Sequence, residues 1–527
     1  MSSLNFDISN MLLPEVYDHP VSSIELIETH ISWVILTGDF AYKIKKPVDF
    51  GFLDFSTLEK RRHYCEQEVK LNQRLAPDLY LAVVTISGAR EHPHVSSQSL
   101  DKETQVLEYA VKMKQFAQSA QLDRRLLDGR LEVAQMDAVA DMVAGFHQVI
   151  ARAGSAEPYG EIDAIYQPVA ENFTQIRQNI ASDDLTDRLN RLASWSQAEC
   201  SRLKTVFKQR KADGFIRECH GDMHLRNLAW LNDKPVAFDC IEFNPSLRWI
   251  DVISEVAFLV MDLQHRQQSE MANRLLNRYL EVTGDYAGLH VLRFYLCYRA
   301  LVRAKVAALQ SAQAVTSGGV TSELMNEFSS YIELASDYAD LDSADAGRSK
   351  LIIMRGLSAS GKSTVSQRLL EVTGAIRIRS DVERKRLFSV NDNTVYGDEL
   401  NAGIYTQQAT RDTYEKLRHL AELVISSGYS IIIDAVFLKH EQRELFRLLA
   451  ERLQVEYIII EVTASPEILR QRIIQRKDDV SDANLKVLEG QLADWQILHE
   501  DEVGSSVNID TGVSFDLENV ARIIKAD

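Results

Sequence analysis

The segment GLSASGKST, residues 356–364, restricts the fold of this chain more than any other feature of its sequence. It directly follows the strand-like run LIIMR and leads into KSTVSQRLLEV, a run with the apolar spacing of a helix. A strand, a glycine loop and a helix in this order form the usual frame of a phosphate-binding loop. Gly356 and Gly361 let backbone N–H groups turn toward phosphate oxygens, and the start of the helix adds its positive end. The sequence therefore predicts a nucleotide site on a P-loop fold.

The side chains of this glycine loop fit distinct tasks in binding ATP and Mg²⁺. Lys362 is expected to reach the β- and γ-phosphates, and Ser363 to offer a hydroxyl ligand to Mg²⁺. The other loop residues predicted to line the ATP site are Gly356, Ser358, Ser360, Gly361 and Thr364. A plain turn of glycine and serine is the alternative, but the flanking strand and helix favour the nucleotide site.

Strands alternate with helical patterns across the last third of the chain. Five apolar runs are strand candidates: KLIIMR, IRIRS, SIIIDA, EYIIIEV and VNID. Because a helical segment separates successive strands, the connections are crossovers and the strands are expected to run parallel. We therefore predict an α/β P-loop NTPase fold with a parallel sheet in this region.

Further polar residues after the glycine loop suit phosphoryl transfer. Asp381 follows the second strand, at the edge where open sheets bind ligands, and could accept a proton from an acceptor hydroxyl. Asp434 ends the run SIIID and could hold Mg²⁺ through a water molecule. Arg472 and Arg476, one helical turn apart, could close on the ATP phosphates. Alternatively, Asp381 caps its helix, and the two arginines form a solvated basic face.

In the order of these motifs, the region from about Gly356 to Thr511 resembles the small P-loop kinases. These include gluconate kinase, polynucleotide 5′-kinases and zeta-toxin-like enzymes. The resemblance implies ATP-dependent phosphorylation of a hydroxyl group. The segment DDVSDAN, after the arginine pair, departs from the pattern.

A second motif, HGDMHLRN, places Asp222 and Asn227 five positions apart. Phosphoryl transfer to an alcohol needs an acid beside the hydroxyl and oxygen ligands for Mg²⁺. Asp222 is the candidate for the first task, while Asn227 and Asp239, which ends the apolar piece VAF, suit the second. Each residue alone is a common turn former, so the interpretation depends on all three together. Asp251 and Glu255, after NPSLRWI, are predicted to cap or brace the helix behind this loop.

This motif resembles the aminoglycoside phosphotransferase and choline kinase superfamily, which has HGD where protein kinases have HRD. AYKIKK then looks like the strand whose lysine contacts the ATP phosphates; Lys43 is favoured, and Lys45 shares its strand face. The partner carboxylate is expected on the next helix, at Glu68 or, as second choice, at Glu66. A surface ion pair without a role in ATP binding is the other interpretation. No glycine-rich loop precedes Lys43, where the sequence reads ETHISW.

The whole arrangement resembles the bacterial proteins described as bifunctional aminoglycoside phosphotransferase/ATP-binding proteins. It implies an N-terminal α+β domain over residues 1–335, with a protein-kinase-like (aminoglycoside phosphotransferase) fold. A linker over 336–349 is expected next, because ASDYADLDSADAGRSK is small and acidic. Residues 350–527 then form the P-loop domain, of the AAA or small-kinase type.

Composition narrows the environment and the partners. The formal net charge of −17 makes nucleic acid or an anionic membrane surface an unexpected main partner. The five cysteines lack metal-site spacing, which favours reduced thiols in a cytoplasmic protein. The first residues lack the basic start of a signal peptide, and no apolar run is long enough to span a membrane.

From these features we expect ATP- and Mg²⁺-dependent transfer of the γ-phosphoryl group to a hydroxyl of a small molecule, with a separate ATP site in each domain. One alternative is a nucleotide-gated regulatory protein in which one or both domains bind ATP without turnover. Another is a polynucleotide 5′-kinase activity of the P-loop domain, for which Arg384, Lys385 and Arg386 offer cations. The sequence supports no prediction of the acceptor's identity or of the oligomeric state.

Overall fold

The computed structural model describes residues 7–51, 53–96, 105–179, 183–316, 322–344, 349–388, 406–475 and 484–513 of the chain. Contacts between residues divide the chain into two compact units. The first unit comprises Met1–Ala170 and Lys204–Asp262, and the second comprises Glu171–Leu203 and Leu263–Asp527.

Strands and helices are numbered in chain order. Up to residue 265 they are β1 Glu25–Glu28, β2 Ser32–Leu36, β3 Phe40–Lys45, α1 Leu58–Asn72, β4 Tyr80–Ala89, β5 His92–Ser96, β6 Val106–Lys114, α2 Leu122–Leu127, α3 Gln135–Val149, α4 Ile162–Asn179, α5 Asp183–Arg202, α6 Lys204–Ala212, β7 Ile216–Glu218, β8 Leu228–Leu231, β9 Lys234–Ala237, β10 Trp249–Asp251 and α7 Val252–His265. After residue 265 they are α8 Ser269–Thr283, α9 Leu289–Thr316, α10 Ser322–Ala344, β11 Lys350–Arg355, α11 Lys362–Thr373, β12 Ile376–Arg379, α12 Ser380–Leu387, α13 Gln407–Ser426, β13 Ile431–Asp434, α14 His440–Leu453, β14 Glu456–Thr463, α15 Pro466–Gln475, α16 Leu485–Ala493, α17 Glu500–Val503 and β15 Ser506–Asp510.

The first unit contains a six-stranded antiparallel sheet in the order β1-β2-β3-β6-β4-β5. A hairpin joins β2 to β3 through Gly38, whose φ of +99° suits a glycine turn. Side chains alternate across β3: Tyr42 and Ile44 enter the apolar core, so Lys43 and Lys45 share the other face. Helix α1 packs beside β4 and β6, which brings its buried residues toward this sheet.

A short hairpin and a two-stranded sheet hold the HGD motif in the first unit. β8 and β9 are antiparallel and joined by Asn232 and Asp233, both with positive φ, as a tight two-residue hairpin turn requires. β7 pairs with β10, also antiparallel. The segment between β7 and β8 carries the HGD motif, so both of its ends are fixed by strand pairing.

The second unit contains a five-stranded sheet in the order β12-β13-β11-β14-β15, and all four pairings are parallel. Every residue of β11 and β13 is buried, as the continuous apolar runs of a covered parallel sheet require. Val365, Leu369 and Leu370 of α11 pack on Ile352 and Met354 of β11. The predicted α/β P-loop fold with a parallel sheet is confirmed, including all five predicted strands.

Helix α8 covers the open edge of this sheet within the second unit. β12 is the edge strand, and the Asn277 side chain of α8 pairs with its backbone. Asn277 Oδ1 accepts from the Arg377 N–H at 2.7 Å, and Nδ2 donates to the Ala375 carbonyl at 3.2 Å. One amide side chain therefore supplies the donor and acceptor that a neighbouring strand would otherwise provide.

The contact-based division does not follow the predicted boundaries. Helices α8, α9 and α10 belong to the same unit as the parallel sheet, although the sequence assigned residues up to 335 to the first domain. Helix α10 continues to Ala344, so the first part of the predicted linker is helical. The segment contains several alanines, which are good helix formers, and this explains why the helix extends into the predicted linker.

The cysteines and the helices bear on the expected environment. All five cysteines lie in described parts of the chain, where they are buried and form no disulfide bond. Across the described ranges, no helix has both the length and the apolar character needed to cross a membrane.

Candidate active sites

Two lysines of β3 and one glutamate of α1 form a buried ion cluster in the first unit. Lys43 Nζ lies 2.8 Å from one carboxylate oxygen of Glu68, and Lys45 Nζ lies 2.6 Å from the other. Burial alone would raise the pKa of Glu68, but the two ammonium groups outweigh it and lower this pKa to about 2. Glu68 is fully buried and Lys43 is only 12% exposed, so the interpretation as a surface ion pair is wrong.

The second partners of the two lysines distinguish them. Lys43 Nζ lies 2.5 Å from Asp239 Oδ1, whereas the deeply buried Lys45 contacts Glu242. Lys43 is thus the lysine that reaches the predicted metal ligand. The second-choice glutamate, Glu66, lies on the exposed side of α1. Sequence reasoning missed Glu242, which belongs to no motif and meets Lys45 only through folding.

The HGD loop, residues 220–227, brings two of the predicted residues into direct contact. Asn227 Nδ2 donates to both the backbone carbonyl and Oδ2 of Asp222, each at 2.9 Å. Gly221 has a φ of +90°, and a Cβ there would lie 2.7 Å from the Leu247 carbonyl oxygen. Glycine is therefore required for the loop to pass this backbone.

Asp239 joins this pair through the β8–β9 hairpin. The Phe238 N–H donates to the Asn227 carbonyl at 3.0 Å, which places the end of β9 beside the HGD loop. Asp239 itself has a φ of +63° and donates its N–H to the Tyr80 hydroxyl at 3.0 Å. The structure thus links Asp222 to Asn227, Asn227 to the hairpin that carries Asp239, and Asp239 to Lys43, while the catalytic role of each stays a prediction.

Glu255, at the start of α7, anchors the HGD loop from behind. Its carboxylate accepts from the Gly221 N–H at 2.7 Å, from the His220 N–H at 3.2 Å and from His147 Nε2 at 3.0 Å. Burial opposes its ionisation, but the bond from His147 and the other donors outweigh burial and lower its pKa to about 2. This agrees with the predicted bracing role. Asp251 Oδ1 accepts from the Ile253 N–H at 2.9 Å in the first turn of α7, which agrees with the predicted capping role, and both Asp251 oxygens also bind Arg210, at 2.7 and 2.8 Å.

The histidine of the motif acts as a neutral spacer. His220 Nε2 donates to the Phe238 carbonyl at 2.9 Å, so Nδ1 is left to accept from the Asp222 N–H at 3.3 Å. Burial is the largest influence on its pKa, which lies below the usual value. The ring therefore links the HGD loop to the hairpin that carries Asp239.

The oxygen donors near Lys43 fit a hard divalent cation. Asn227 uses its amide nitrogen toward Asp222, which leaves Oδ1 as the ligand atom. The Asp239 carboxylate is 47% exposed and already has the Lys43 ammonium beside one oxygen. Amide and carboxylate oxygens are the donors that Mg²⁺ prefers, so these two residues suit the predicted metal site.

The glycine loop of the second unit has the geometry of an anion cradle. A Cβ at Gly356 would lie 2.3 Å from the Val462 carbonyl oxygen, so the loop passes β14 too closely for any side chain. Ala359 and Gly361 both have positive φ, at +64° and +94°, a conformation that turns successive N–H groups inward. The buried Ser360 Oγ has no hydrogen-bond partner among the described residues, an unmet polar group that an anion would satisfy.

Two of the side chains predicted to bind phosphate, Lys362 and Arg472, contact the backbone of this loop. Lys362 Nζ donates to the Leu357 carbonyl at 2.9 Å, and so folds back across the loop. Arg472 donates to the Ala359 carbonyl at 3.2 Å and to Thr511 Oγ1 at 2.9 Å. The interpretation of Arg472 as part of a solvated face is therefore wrong. Arg476 lies outside the described residues.

The predicted metal ligands of the P-loop domain lie at the carboxyl ends of the strands. Asp434 ends β13, and its Oδ2 accepts from Ser366 Oγ at 3.2 Å, one helical turn after Ser363. A serine hydroxyl and a carboxylate at this position fit Mg²⁺. Asp381 is the second residue of α12, so it is not the helix cap, and its proposed role as a base stays a prediction.

Sequence reasoning also missed two residues that complete the glycine loop and one that lies beneath it. Gln491 accepts from the Ser358 N–H at 2.8 Å, and Thr511 holds Arg472. Arg377, buried in β12, contacts the Ser363 carbonyl. The run IRIR does indicate Arg377, because side-chain alternation along a strand places Arg377 and Arg379 on the same face.

Comparison with known proteins supports both regions. Residues 64–295 match the family described as "Phosphotransferase enzyme family", and residues 351–498 match the family described as "AAA domain". An uncharacterized protein of Mycobacterium tuberculosis strain H37Rv is 28% identical over 490 residues, which cover 91% of this chain and 93% of that protein.

Solved structures of low identity each match part of the chain. A putative kinase from Chloroflexus aurantiacus is 23% identical and covers 34% of this chain and 97% of its own, with a TM-score of 0.28. Amicoumacin kinase hAmiN, in complex with AMP-PNP, Ca²⁺ and Ami, is 12% identical and covers 61% of this chain and 90% of its own, with a TM-score of 0.39. The two family matches together show that the chain has two domains. A kinase-like domain that matches the phosphotransferase enzyme family precedes a P-loop domain that matches the AAA domain family.

Proposed function

We propose that this protein is an ATP- and Mg²⁺-dependent kinase that transfers the γ-phosphoryl group to a hydroxyl of a small molecule, with a separate ATP site in each domain. Residues 1–335 would carry the first site and residues 350–527 the second. The observation that carries the proposal is the contact of Lys43 with both Glu68 and Asp239, beside the Asp222–Asn227 pair. The match to a phosphotransferase family supports the same reaction class.

In the first domain, we assign a role in phosphoryl transfer to each candidate residue. Lys43, held by Glu68, would bind the ATP phosphates as a fixed cation. Asp222, with Asn227 bound to its Oδ2, would orient the acceptor hydroxyl and accept its proton. Asn227 and Asp239 would hold Mg²⁺, which neutralises charge on the phosphates when bound.

In the second domain the glycine loop would serve as a Walker A motif. Its inward N–H groups and Lys362 would bind the β- and γ-phosphates, and Ser363 with Asp434 would hold Mg²⁺. Arg472 would exchange its carbonyl partner on the loop for a phosphate oxygen, a stronger charge-assisted bond. Asp381 would accept the proton of the acceptor hydroxyl.

The test is ADP release from ATP–Mg²⁺ with aminoglycosides, sugars, amino alcohols, nucleosides and 5′-hydroxyl oligonucleotides. Asp222→Asn and Lys362→Ala would each be compared with the wild type, and the exposed Asp213→Asn would serve as the control. Turnover lost in one variant only assigns that acceptor to one domain. ATP binding without turnover for any acceptor would contradict the proposal in favour of a nucleotide-gated regulator.

We further propose that the protein acts in the cytoplasm on small molecules. Its five buried cysteines form no disulfide bond, which is compatible with a reducing compartment, and its net charge of −17 disfavours nucleic acid as the acceptor. Turnover of the oligonucleotide in the same panel would instead favour the polynucleotide 5′-kinase alternative.

A further inference from the structure

A cavity of about 450 Å³ lies beside the first turn of α11, within the second unit. Its walls include Ser363 and Thr364 of α11, Arg274 of α8, and Arg377 and Arg379 of β12. We call it the arginine pocket. It adjoins the predicted metal ligand Ser363, yet two of its walls, α8 and β12, lie outside the glycine loop.

Three arginines share one carboxylate on the α8 side of this pocket. Glu281 lies 3.1 Å from Arg278, 3.4 Å from Arg377 and 3.8 Å from Arg379. A carboxylate satisfies one guanidinium well, with two parallel bonds at 2.7–2.9 Å. At 3.4 and 3.8 Å, Glu281 lies too far from Arg377 and Arg379 to form such a bond with either of them.

On the α11 side two more arginines share two carboxylates. Arg274 lies 2.8 Å from Glu371, while Arg368 contacts both Glu371 and the exposed Glu270. Four arginines and one carboxylate, Glu371, are thus among the residues that line the pocket. Asp434 also attracts Arg377, but this carboxylate is the candidate metal ligand of the glycine loop. A positive excess in a chain of net charge −17 calls for an anionic ligand.

Arg377 is the least satisfied of these arginines. It is only 9% exposed, and its contacts with Glu281, the Ser363 carbonyl and Ser366 Oγ are all 3.4 Å long. Its Nε is buried without a hydrogen-bond partner among the described residues. Buried guanidinium groups normally have strong partners, because leaving their donors unpaired is costly. An anion in the pocket would supply the missing acceptors.

We propose that the arginine pocket binds a phosphate-type dianion, at a position separate from the nucleotide phosphates on the glycine loop. The dianion has two possible sources: a phosphate group carried by the acceptor of the P-loop domain, or free inorganic phosphate. The first source rests on the kinase function proposed above, whereas phosphate binding itself does not.

The first experiment titrates inorganic phosphate into the full-length protein saturated with ADP–Mg²⁺, by isothermal titration calorimetry. Arg377→Met and Arg379→Met should each weaken phosphate binding about tenfold or more, because each removes a charge-assisted partner. Arg418→Met, an arginine paired on the outer side of α13, is the matched control and should keep the wild-type affinity. Lys362→Ala should keep it as well, since Lys362 belongs to the glycine loop.

Several results would overturn the proposal. These are no phosphate binding by the wild type, wild-type affinity in both arginine variants, or loss of binding in Lys362→Ala alone, which would place the phosphate on the glycine loop. Thermal unfolding verifies that each variant is folded. If Arg377→Met fails to fold, the less buried Arg379→Met still decides the outcome.

The second experiment identifies the source of the dianion. ADP release is compared between acceptor pairs that differ only in a phosphate group. A KM about tenfold lower for the phosphorylated member, lost in Arg379→Met, supports a site for the acceptor's phosphate. Phosphate binding without such discrimination supports a site for free phosphate. If no acceptor turns over, the kinase proposal fails, but the phosphate titration still decides whether the site exists.

Discussion

At the scale of single residues, burial separates two lysines that the sequence presents as equivalents. Lys43 and Lys45 share one face of β3 and one partner, Glu68. Asp239, the second partner of Lys43, is half exposed, whereas Glu242, the second partner of Lys45, is buried. The charge of Lys45 is therefore committed to the interior, and that of Lys43 is available to a ligand.

Replacement of the two lysines by methionine should affect different properties: Lys45→Met mainly the stability, and Lys43→Met mainly the affinity for ATP. Lys45→Met leaves Glu242 buried without its cation, and we expect it to lower the free energy of unfolding by about 3–5 kcal/mol. Lys43→Met should cost less stability but weaken ATP binding about tenfold or more, measured by calorimetry in a Lys362→Ala background. Lys46→Met is the control, because its partner Glu28 is 61% exposed. Equal losses of stability and affinity in the two variants would contradict this separation.

The anchor residue Glu255 should make the first domain sensitive to acid. Its pKa is lowered from 4.5 to about 2 in the folded protein, so its stabilisation is complete above pH 4.5 and is lost as the pH falls toward 2. We expect the stability difference between wild type and Glu255→Gln to be about 2 kcal/mol smaller at pH 3 than at pH 7. Urea unfolding at both pH values measures it. Glu66→Gln, an exposed glutamate on α1, should show no such change, and a constant difference for Glu255→Gln would refute the assignment.

At the scale of elements, the glycine loop depends on a close approach of two backbones. The Gly356 Cα faces the Val462 carbonyl of β14, where a Cβ would clash at 2.3 Å. Backbone at this distance cannot move without disturbing β14, which carries part of the sheet core. The loop conformation and the sheet are therefore coupled.

Gly356→Ala should weaken nucleotide binding by the P-loop domain at least about tenfold, because the loop must shift to admit the methyl group. Gly428→Ala is the matched control: its φ is +86°, but a Cβ there would meet nothing within 4 Å. It should cost about 1 kcal/mol of stability and leave affinity unchanged. ADP titration of both variants in a Lys43→Met background, which weakens the nucleotide site of the first domain, tests this. Normal affinity in Gly356→Ala would disprove the steric requirement.

At the scale of the whole molecule, sequence order and compact units do not coincide. Helix α8 lies within residues 64–295, which match the phosphotransferase family, yet it belongs to the unit that holds the parallel sheet. Its Asn277 completes the edge of β12, and its Glu281 reaches the arginines of that strand. The P-loop sheet therefore depends on a helix that the family match assigns to the preceding domain.

Asn277→Ala should expose the edge of the P-loop sheet. It leaves the Arg377 N–H and the Ala375 carbonyl without their partner, at a cost of about 1–3 kcal/mol. Faster hydrogen exchange of the Arg377 amide is the direct measurement. Gln408→Ala, an exposed amide on α13, is the control and should leave that exchange rate unchanged. An unchanged rate in Asn277→Ala would show that α8 does not protect the strand.

The features that the sequence predicted well are local ones. The glycine loop, the HGD motif and the five parallel strands each occupy a short continuous segment whose turn residues or apolar runs determine its conformation. Lys43 and Glu68 could be predicted because strand alternation and helix position leave few candidate residues for this pair. Glu242 and Gln491 belong to no such pattern, since their roles arise from contacts between distant segments.

The sequence by itself determined that the chain has two regions with kinase-like motifs, one α+β and one α/β, and which residues form the loops of these motifs. Only the tertiary structure decided that Lys45 is buried against Glu242, that α10 continues into the predicted linker, and that α8 caps an edge strand nearly one hundred positions away. The physical reason is that a buried charge or an open strand edge must find a partner, and any segment that folding brings near can supply it.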